Sequence, residues 1–446
     1  MPVSSILIKN ISIVNEGKIT VADVFISQGR FEKIAPQINR NATVIIDGTG
    51  KYLMPGIIDD QVHFREPGLT HKASIYSESR AAVAGGVTSF MEMPNTVPNA
   101  LTQELLEQKY LLASGSSLAN YSFFMGVSNT NYEEVMRTPE QDVCGIKIFM
   151  GSSTGSMLVD DEMVLEKIFA NTGKLIATHC ESETVIKANT DLAFAKYGSA
   201  MSSEMHPVIR NELACFASSC YAVALAKKHG TRLHVLHIST EDEIQLFSNT
   251  IPLIEKKITA EVCVHHLYFS SDDYAALGNK IKCNPAIKAP HHRVKLLEAL
   301  LNNTFDVIAT DHAPHTLEEK NRDYLHAPAG LPLVQHSLQL MLSFYFDNKI
   351  SLPQIVEKMC HAPAQLFGVK DRGFLREGYY ADAFILDLTK TQTIQPENVF
   401  YKCGWSPLEG KTMRGLVTDT LVNGNIVFSN GRFNESTKGM RLKFTR

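Results

Sequence analysis

Short apolar runs alternate with amphipathic stretches through the middle of this 446-residue chain. Eight runs have the length and composition of buried strands, and the segments between them carry the apolar spacing of helices. The predicted strands are 57–64, 87–93, 121–127, 145–150, 175–179, 233–237, 258–264 and 307–311, and the clearest helices are 102–113, 162–170, 212–228 and 293–301. This alternation predicts an α/β fold, a (β/α)8 TIM-type barrel.

Both ends of the chain differ from this middle. Short alternating or β-branched runs between Gly and Asn turns are typical of antiparallel strands. They lie at 6–14, 21–28, 42–47, 383–388, 416–421 and 422–428. The pair Asn423-Gly424 favours a two-residue hairpin turn. We predict that residues 1–54 plus 371–446 form one small composite β-sandwich domain, and that residues 55–370 form the barrel.

The composition is that of an ordinary globular protein, with 44% hydrophobic residues, 20% charged residues and a formal net charge of −4. No basic block or long apolar run favours a nucleic-acid or membrane partner. No phosphate-binding glycine loop occurs, so nucleotide dependence is not expected. The first residues lack the regions of a signal peptide, and the eight cysteines are scattered without a C-x-x-C pair. We predict a cytoplasmic protein with reduced, mostly packed thiols.

Polar side chains lie at the carboxyl ends of the predicted strands, where such a barrel builds its active site. They are His63, Asn95, Lys147, His179, His237, His265, His266, Asp311, His312 and His315. A single histidine in such a place is more often a hydrogen-bonded partner than a ligand. Four of these residues end four different strands and have ligand chemistry, so together they predict one metal site. The four are His63, His179, His237 and Asp311.

The first strand adds a cation to this picture. Because side chains alternate faces along a strand, Gln61, His63 and Arg65 should point the same way. A guanidinium can hold a carboxylate through two parallel hydrogen bonds. The sequence therefore predicts a metal and a cation for an acidic small-molecule substrate in one pocket.

Lys147 lies between apolar neighbours on the fourth predicted strand. Buried lysines usually extend their amine to solvent, and a rim position would allow that here. A desolvated amine would instead be nucleophilic. Carbon dioxide could then convert Lys147 to a carbamate whose two oxygens bridge two metal ions. Cys180, in contrast, follows His179 on the opposite face of its strand and is not expected to be catalytic.

The chain resembles the amidohydrolase superfamily, and specifically the class I dihydroorotases. The motifs that carry the resemblance are His63-Phe64-Arg65-Glu66-Pro67-Gly68, Met93-Pro94-Asn95-Thr96 and Asp311-His312-Ala313-Pro314-His315. The resemblance spans the whole chain, including Ala381-Asp382, Ser406-Pro407 and Asn423-Gly424 near its end. It implies a zinc-dependent hydrolase of de novo pyrimidine biosynthesis that interconverts dihydroorotate and N-carbamoyl-L-aspartate, and it implies a homodimer.

The resemblance also implies roles for individual residues. One or two zinc ions would be bound by His63, Lys147, His179, His237 and Asp311, with Lys147 carboxylated. Arg65, Asn95 and His315 would hold the substrate carboxylate, and Asn284 would line the pyrimidine side. Asp311 would also carry the proton between the attacking water and the leaving nitrogen. His265 or His266 would support the ligands, although a rim histidine without a role is equally compatible with the sequence.

One position departs from the family pattern His-x-His-x-Arg, because Gln61 stands where the first histidine belongs. A carboxamide oxygen is a poorer zinc ligand than an imidazole, so Gln61 is a weak or lost ligand. We expect one tight zinc at His179, His237 and Lys147. The second zinc, left with His63, Lys147 and Asp311, is then weak, exchangeable or absent.

Alternatives to a dihydroorotase remain at this stage. A dihydropyrimidinase, hydantoinase or allantoinase would share the metal motifs, but a neutral ring gives no reason for a cation such as Arg65. A non-catalytic dihydroorotase-like partner subunit has Gln61 as its support. The charged segment 317–330 is either a solvated connector or a lid over the ring.

Overall fold

The computed structural model describes residues 5–151 and 157–445. Residues 1–4, on which part of the signal-peptide prediction rests, lie outside the described residues. No helix in the described ranges is both long and apolar enough to cross a membrane. The eight cysteines all lie within these ranges as thiols, and most of them are buried.

We number the strands in chain order. They are β1 (Ser5–Asn15), β2 (Lys18–Ser27), β3 (Arg30–Ala35), β4 (Val44–Asp47), β5 (Tyr52–Pro55), β6 (Ile57–Val62), β7 (Val87–Glu92), β8 (Asn120–Phe123), β9 (Met125–Gly126), β10 (Ile146–Phe149), β11 (Ile176–His179), β12 (Leu233–Val235), β13 (Ile258–Cys263), β14 (Val307–Ala309), β15 (Ala383–Thr393), β16 (Thr412–Val422), β17 (Asn425–Ser429) and β18 (Arg432–Phe433).

The α-helices are numbered in the same way. They are α1 (Ile75–Ala84), α2 (Gln103–Ser116), α3 (Tyr132–Arg137), α4 (Glu162–Asn171), α5 (Glu183–Tyr197), α6 (His206–Ile209), α7 (Glu212–His229), α8 (Val264–Tyr268), α9 (Tyr274–Leu277), α10 (Pro290–Leu301), α11 (Leu317–Lys320), α12 (Ser337–Phe346), α13 (Leu352–Val356) and α14 (Ala362–Phe367). A π-helical turn, Glu357–His361, joins α13 to α14.

Strands β6 to β14 form a closed parallel barrel. Each barrel strand pairs with the next one in sequence, and the third barrel strand is split at Phe124 into β8 and β9. A parallel bridge between Val62 and His312 joins the last strand to the first, where the amide of His63 donates to the carbonyl of His312 at 2.7 Å. The predicted (β/α)8 TIM-type barrel is therefore confirmed, with all eight strands.

The helices around the barrel begin at residues that cap them. Thr102 accepts a hydrogen bond from the Leu105 amide, and Asn211 accepts one from the Ala214 amide. Such caps satisfy amides that have no partner inside the helix. Gly230 ends α7 with φ +68°, a conformation that favours glycine. The four predicted helices correspond to α2, α4, α7 and α10.

The two ends of the chain join in a single nine-stranded sheet. Strand β5 pairs with β1 from the N-terminal part and with β15 from the C-terminal part, which confirms the predicted composite β-structure. The prediction that these strands are all antiparallel is wrong, because β4 and β5 both run parallel to β1. Residues 36–43 carry the chain back after β3, and a parallel neighbour requires such a crossover. The domain limits 54/55 and 370/371 stay a prediction.

Candidate active site

A cavity of about 510 Å³ opens at the carboxyl ends of the barrel strands. All nine residues predicted to bind metal or substrate, together with Gln61, line it. They are Gln61, His63, Arg65, Asn95, Lys147, His179, His237, Asn284, Asp311 and His315. The structure thus brings together residues that span more than half of the chain, while their individual roles stay predictions.

His179 and His237 face each other in this cavity. His179 Nδ1 lies 2.9 Å from His237 Nε2. The other ring nitrogen of His179, Nε2, lies 3.0 Å from the carboxylate of Glu181, which accepts its proton in a hydrogen bond. In a neutral His179 the lone pair therefore lies on Nδ1 and points at His237.

His63 and Asp311 form a second facing pair. His63 Nδ1 lies 2.7 Å from the side-chain oxygen of Asn95, and His63 Nε2 lies 3.0 Å from Asp311 Oδ1. Burial lowers the pKa of His63 in spite of its contact with Asp311. Burial alone would raise the pKa of Asp311, but His63 outweighs it and the pKa lies below the usual value. A neutral ring that donates to Asn95 thus presents a lone pair to a carboxylate.

The His63–Asp311 pair places electron-donating atoms against each other, which is unfavourable unless a cation lies between them, whereas Nε2 of His237 can donate to the lone pair of His179. Imidazole nitrogens and a carboxylate oxygen are the ligands that Zn²⁺ prefers. The side chains present therefore fit a metal centre. The four predicted ligands form two pairs, and the number of metal ions that they bind stays a prediction.

Lys147 belongs to β10 and is 1% exposed, so its side chain lies in the barrel interior. Its Nζ sits 4.6 Å from the centre of the Phe149 ring. Burial lowers the pKa of Lys147 to about 7, although Asp311 and Glu261 oppose the shift. The expectation of an amine that reaches solvent at the rim is therefore wrong, because the side chain stays inside the barrel.

Gln61 contacts the metal-site residues as a hydrogen-bond partner. Its Nε2 donates to Asp311 Oδ1 at 3.3 Å, and its Oε1 lies 3.7 Å from the Cys263 sulfur. The Cys263 thiol carries one proton and lies closer to Glu261 Oε1, at 3.3 Å, so it does not occupy the oxygen of Gln61. The loss of a ligand at position 61 stays a prediction.

Arg65 reaches the cavity by a different route from the predicted one. Strand β6 ends at Val62, so side-chain alternation does not extend to Arg65. The backbone of Arg65 instead adopts φ +69°, and two predicted ligands, His237 and Asp311, also have positive φ. Such conformations are uncommon for residues other than glycine and occur often at functional sites.

The guanidinium of Arg65 lies beside His315 without a good acceptor there. The amine of Lys72 can only donate, so His315 Nδ1 at 3.0 Å accepts from it. His315 Nε2 then carries the proton and donates to the carbonyl of Ala329 at 3.0 Å. Arg65 Nη2 lies 3.1 Å from the same Nε2 and faces a donor. The one acceptor that Arg65 has here is the carbonyl of Pro314, which Nε reaches at 3.1 Å.

Residues 317–330 combine exposed side chains with a few buried ones. Lys320 is buried and donates to the carbonyls of Lys282, Pro328 and Gly330 at 2.8–3.1 Å. Pro328, Ala329 and Gly330 line the cavity next to His315. The end of the segment is therefore part of the wall of the site, and it is anchored by Lys320, whose contacts no sequence pattern indicated.

Two further residues of the site were not identified from the resemblance or the strand ends. Arg210 lines the cavity and forms an ion pair with Glu181, which in turn binds His179. Burial alone would raise the pKa of Glu181, but Arg210 and His179 lower it to about 2. Glu181 follows His179 by two residues, so strand alternation could have indicated it. Arg210 lies beyond a short helix and carries no such signal.

The remaining predicted residues take supporting positions. Asn284 lines the cavity, and its side-chain oxygen lies 3.1 Å from Nε2 of the buried His206. His266 Nε2 donates to the carbonyl of Pro285 at 3.1 Å. Burial lowers the pKa of His265 to about 4, so this ring is neutral. Neither His265 nor His266 lines the cavity as described.

Comparison with known proteins agrees with this architecture. The model of the amidohydrolase family matches residues 52–427. A dihydroorotase from Methanosarcina acetivorans is 31% identical over 440 residues, which cover 96% of this chain and 92% of that protein. An allantoinase from Desulfitobacterium hafniense is 29% identical over 445 residues, which cover 98% of both chains.

Solved structures of other proteins have the same fold as this chain. An L-hydantoinase (dihydropyrimidinase) from Arthrobacter aurescens superposes with a TM-score of 0.93 at 27% identity, covering 99% of this chain and all of its own. Proteins named for three different activities are thus about equally similar to this chain. The choice between their substrates depends on the side chains of the cavity.

Proposed function

The chain belongs to the amidohydrolase family, and on that premise we propose that it is a dihydroorotase. It would hydrolyse the ring amide of dihydroorotate and, in the reverse direction, close N-carbamoyl-L-aspartate into the ring. The observation that carries this proposal is Arg65, a cation that is 8% exposed on the wall of the cavity.

A buried guanidinium needs a partner, since an uncompensated charge in the interior is costly. Within the described ranges Arg65 forms no ion pair, and its contact at His315 is with a donor. Burial lowers the pKa of Arg65 to about 10, so the side chain stays cationic near neutrality. The carboxylate of dihydroorotate would supply the missing partner through two charge-assisted hydrogen bonds. Hydantoin, dihydrouracil and allantoin rings carry no carboxylate for this position.

Asn95 and His315 would complete the carboxylate site. The side-chain oxygen of Asn95 faces His63, so its NH2 is the group that could donate to the substrate. His315 Nε2 lies beside Arg65 and would donate to the same carboxylate once its proton turns from the carbonyl of Ala329. Asn284 would orient the ring, and these contacts together would fix the geometry of the reaction.

The metal ligands of the proposal are His63, Lys147, His179, His237 and Asp311, with Lys147 as a carbamate and Gln61 outside the ligand set. Zinc bound there would supply a water of lowered pKa and would polarise the ring carbonyl. One zinc would be tight and the second weak. His63 and Gln61 both contact Asp311 Oδ1, which leaves Oδ2 to take the proton from the attacking water. Asp311 would then deliver this proton to the leaving ring nitrogen.

The proposal carries further family-level predictions. A dihydroorotase would act on a small molecule in de novo pyrimidine biosynthesis, in the cytoplasm and as a homodimer. The other cyclic amidohydrolases remain the alternative, since the allantoinase and hydantoinase relatives are as similar as the dihydroorotase. A non-catalytic partner subunit is the remaining alternative, which Gln61 alone favours.

A panel of four rings tests the proposal. Purified zinc-supplied protein is mixed with dihydroorotate, dihydrouracil, hydantoin or allantoin, and ring opening is followed by absorbance or by product analysis. We expect turnover of dihydroorotate, with kcat/KM at least 100-fold above that of each neutral ring. Faster opening of a neutral ring would contradict the role of Arg65. No opening of any ring by folded, metal-containing protein would favour the non-catalytic subunit.

A further inference from the structure

A cluster of three buried ionisable side chains lies inside the barrel, apart from the residues that line the cavity. Asp60 belongs to β6, His234 to β12 and Glu261 to β13, and each is 0% exposed. One ligand atom of each lies within 4.8 Å of the others. Neither the proposed reaction nor the metal ligands described above use these three residues.

The hydrogen bonds of His234 determine where its lone pair lies. The hydroxyl of Thr259 donates its proton to the carbonyl of Leu233 at 3.2 Å. Thr259 Oγ1 therefore accepts from His234 Nδ1, which lies 2.9 Å away. A neutral His234 then presents the lone pair of Nε2 to the two carboxylates. Such an outer hydrogen bond on Nδ1 is typical of histidines that bind metals through Nε2.

Three of the four carboxylate oxygens of the cluster lack hydrogen-bond partners among the residues that the structure describes. Neither oxygen of Asp60 has a hydrogen bond in the described part of the chain, and the same holds for Glu261 Oε2 and His234 Nε2. The neighbouring Asp59, equally buried, receives hydrogen bonds from the amide and the hydroxyl of Thr310. An ionised carboxylate without partners in the interior costs several kcal/mol. The cluster therefore requires bound protons or a metal cation.

The distances favour a metal ion over a proton on His234. His234 Nε2 lies 3.3 Å from Asp60 Oδ2 and 3.6 Å from Glu261 Oε2. A charge-assisted hydrogen bond is shorter, about 2.7–2.9 Å. The equally buried pair His312–Glu78 has that spacing, at 2.8 Å. Ligands about 2.0 Å from a tetrahedral zinc lie about 3.3 Å apart, close to the separations in the cluster.

The net charge of the cluster also favours a metal ion over a proton. An imidazolium between two carboxylates leaves one negative charge on the cluster, whereas a divalent cation with a neutral imidazole leaves none. Burial lowers the pKa of His234, but Asp60 and Glu261 outweigh it and raise the pKa to about 9, so without a metal the ring holds a proton that a bound divalent cation would displace. Two carboxylates and one imidazole suit a divalent transition-metal ion such as Zn²⁺.

We propose that Asp60, His234 and Glu261 form a structural divalent-metal site in the barrel core, separate from the metal centre of the cavity. Glu261 connects this site to the cavity, because its Oε1 accepts from the amide of His237 at 3.0 Å. A metal in the core would therefore fix the backbone beneath a proposed ligand of the active site. The proposal does not depend on which ring the enzyme opens.

Metal content per chain tests the proposal. Wild-type protein and the variants Asp60→Asn and Asp59→Asn are produced with zinc in the medium, and zinc is counted by mass spectrometry of the elements. Both substitutions remove a buried carboxylate charge at neighbouring positions, but only Asp60 belongs to the cluster. We expect Asp59→Asn to match the wild type and Asp60→Asn to contain one zinc fewer per chain. Equal zinc in the two variants would overturn the proposal.

A crystallographic measurement decides the question if either variant fails to fold. Diffraction from wild-type crystals on both sides of the zinc absorption edge locates zinc directly. We expect an anomalous peak within about 2.0–2.2 Å of Asp60 Oδ2, His234 Nε2 and Glu261 Oε2. A map with a peak in the cavity and none at the cluster would refute the core site. Such a map would leave the proposed dihydroorotase activity untouched.

Discussion

Replacement of Arg65 by methionine should separate acidic from neutral substrates. Methionine keeps much of the apolar length of arginine but removes the charge that we assign to the substrate carboxylate. Without substrate, the hydrogen bonds that the substitution removes are few, since Arg65 donates to Pro314 and faces a donor on His315. The variant should therefore fold, and its defect should appear when the carboxylate binds.

The size of the defect follows from the lost hydrogen bonds. Each hydrogen bond to a charged group contributes about 1.5–3 kcal/mol, so two such bonds contribute at least about 3 kcal/mol. At about 1.4 kcal/mol per tenfold change in rate, kcat/KM for dihydroorotate should fall at least about 150-fold. Dihydrouracil is the same ring without the carboxylate, and its kcat/KM should change by less than about threefold.

Arg210→Met is the matched control, because Arg210 is the other arginine of the cavity. Arg210 pairs with Glu181 and through it orients His179. Its loss should therefore lower turnover of both rings by the same factor. Rates are measured by the absorbance of each ring, with melting temperature and zinc content recorded for every variant. An equal decrease for both rings in Arg65→Met would refute the assignment of Arg65 to the substrate carboxylate.

Three other predictions concern the metal centre. Asp311→Asn should reduce turnover at least about 1,000-fold, as expected when a general base is lost, while His179 and His237 still hold zinc. Turnover rate and zinc content are measured on one sample. Near-normal turnover would exclude Asp311 as the proton carrier. Glu181→Gln should weaken zinc binding about 10–100-fold, as measured by competition with a chelator. Unchanged zinc affinity would show that Glu181 does not orient His179 for the metal. Lys147 has a pKa of about 7 without metal, so the neutral amine prevails above pH 7 and is lost below it. Reactivation of metal-free protein by zinc and bicarbonate should accordingly slow as the pH falls from 8 to 6, and a rate independent of pH and bicarbonate would argue against a carbamate.

The barrel and its predicted ligands could be derived from the sequence because local patterns specify them. Apolar runs of strand length locate the barrel strands, and polar residues at the ends of those runs locate His63, His179 and His237. The parallel pairing of β4 and β5 with β1 could not be derived in this way. Pairing direction depends on how a connection crosses the sheet, and alternation within a strand carries no record of it.

Features that depend on irregular backbone could not be predicted from the sequence either. The register of β6 against β7 shifts between Asp59 and Val62. Asp59, Asp60 and Gln61 are all buried, because a barrel strand faces the interior on one side and the helices on the other. Arg65 enters the cavity through a positive φ and not through alternation. The three carbonyls around Lys320 come together only in the folded chain, and no spacing in the sequence signals them.

The most direct test of the proposed function is the cyclisation of N-carbamoyl-L-aspartate by the purified zinc-supplied protein. Formation of dihydroorotate is followed by its ultraviolet absorbance at slightly acidic pH, with Asp311→Asn as the inactive control. We predict ring closure by the wild type and none above background by the variant. Folded wild-type protein that contains zinc and leaves N-carbamoyl-L-aspartate unchanged would contradict the assignment as a dihydroorotase.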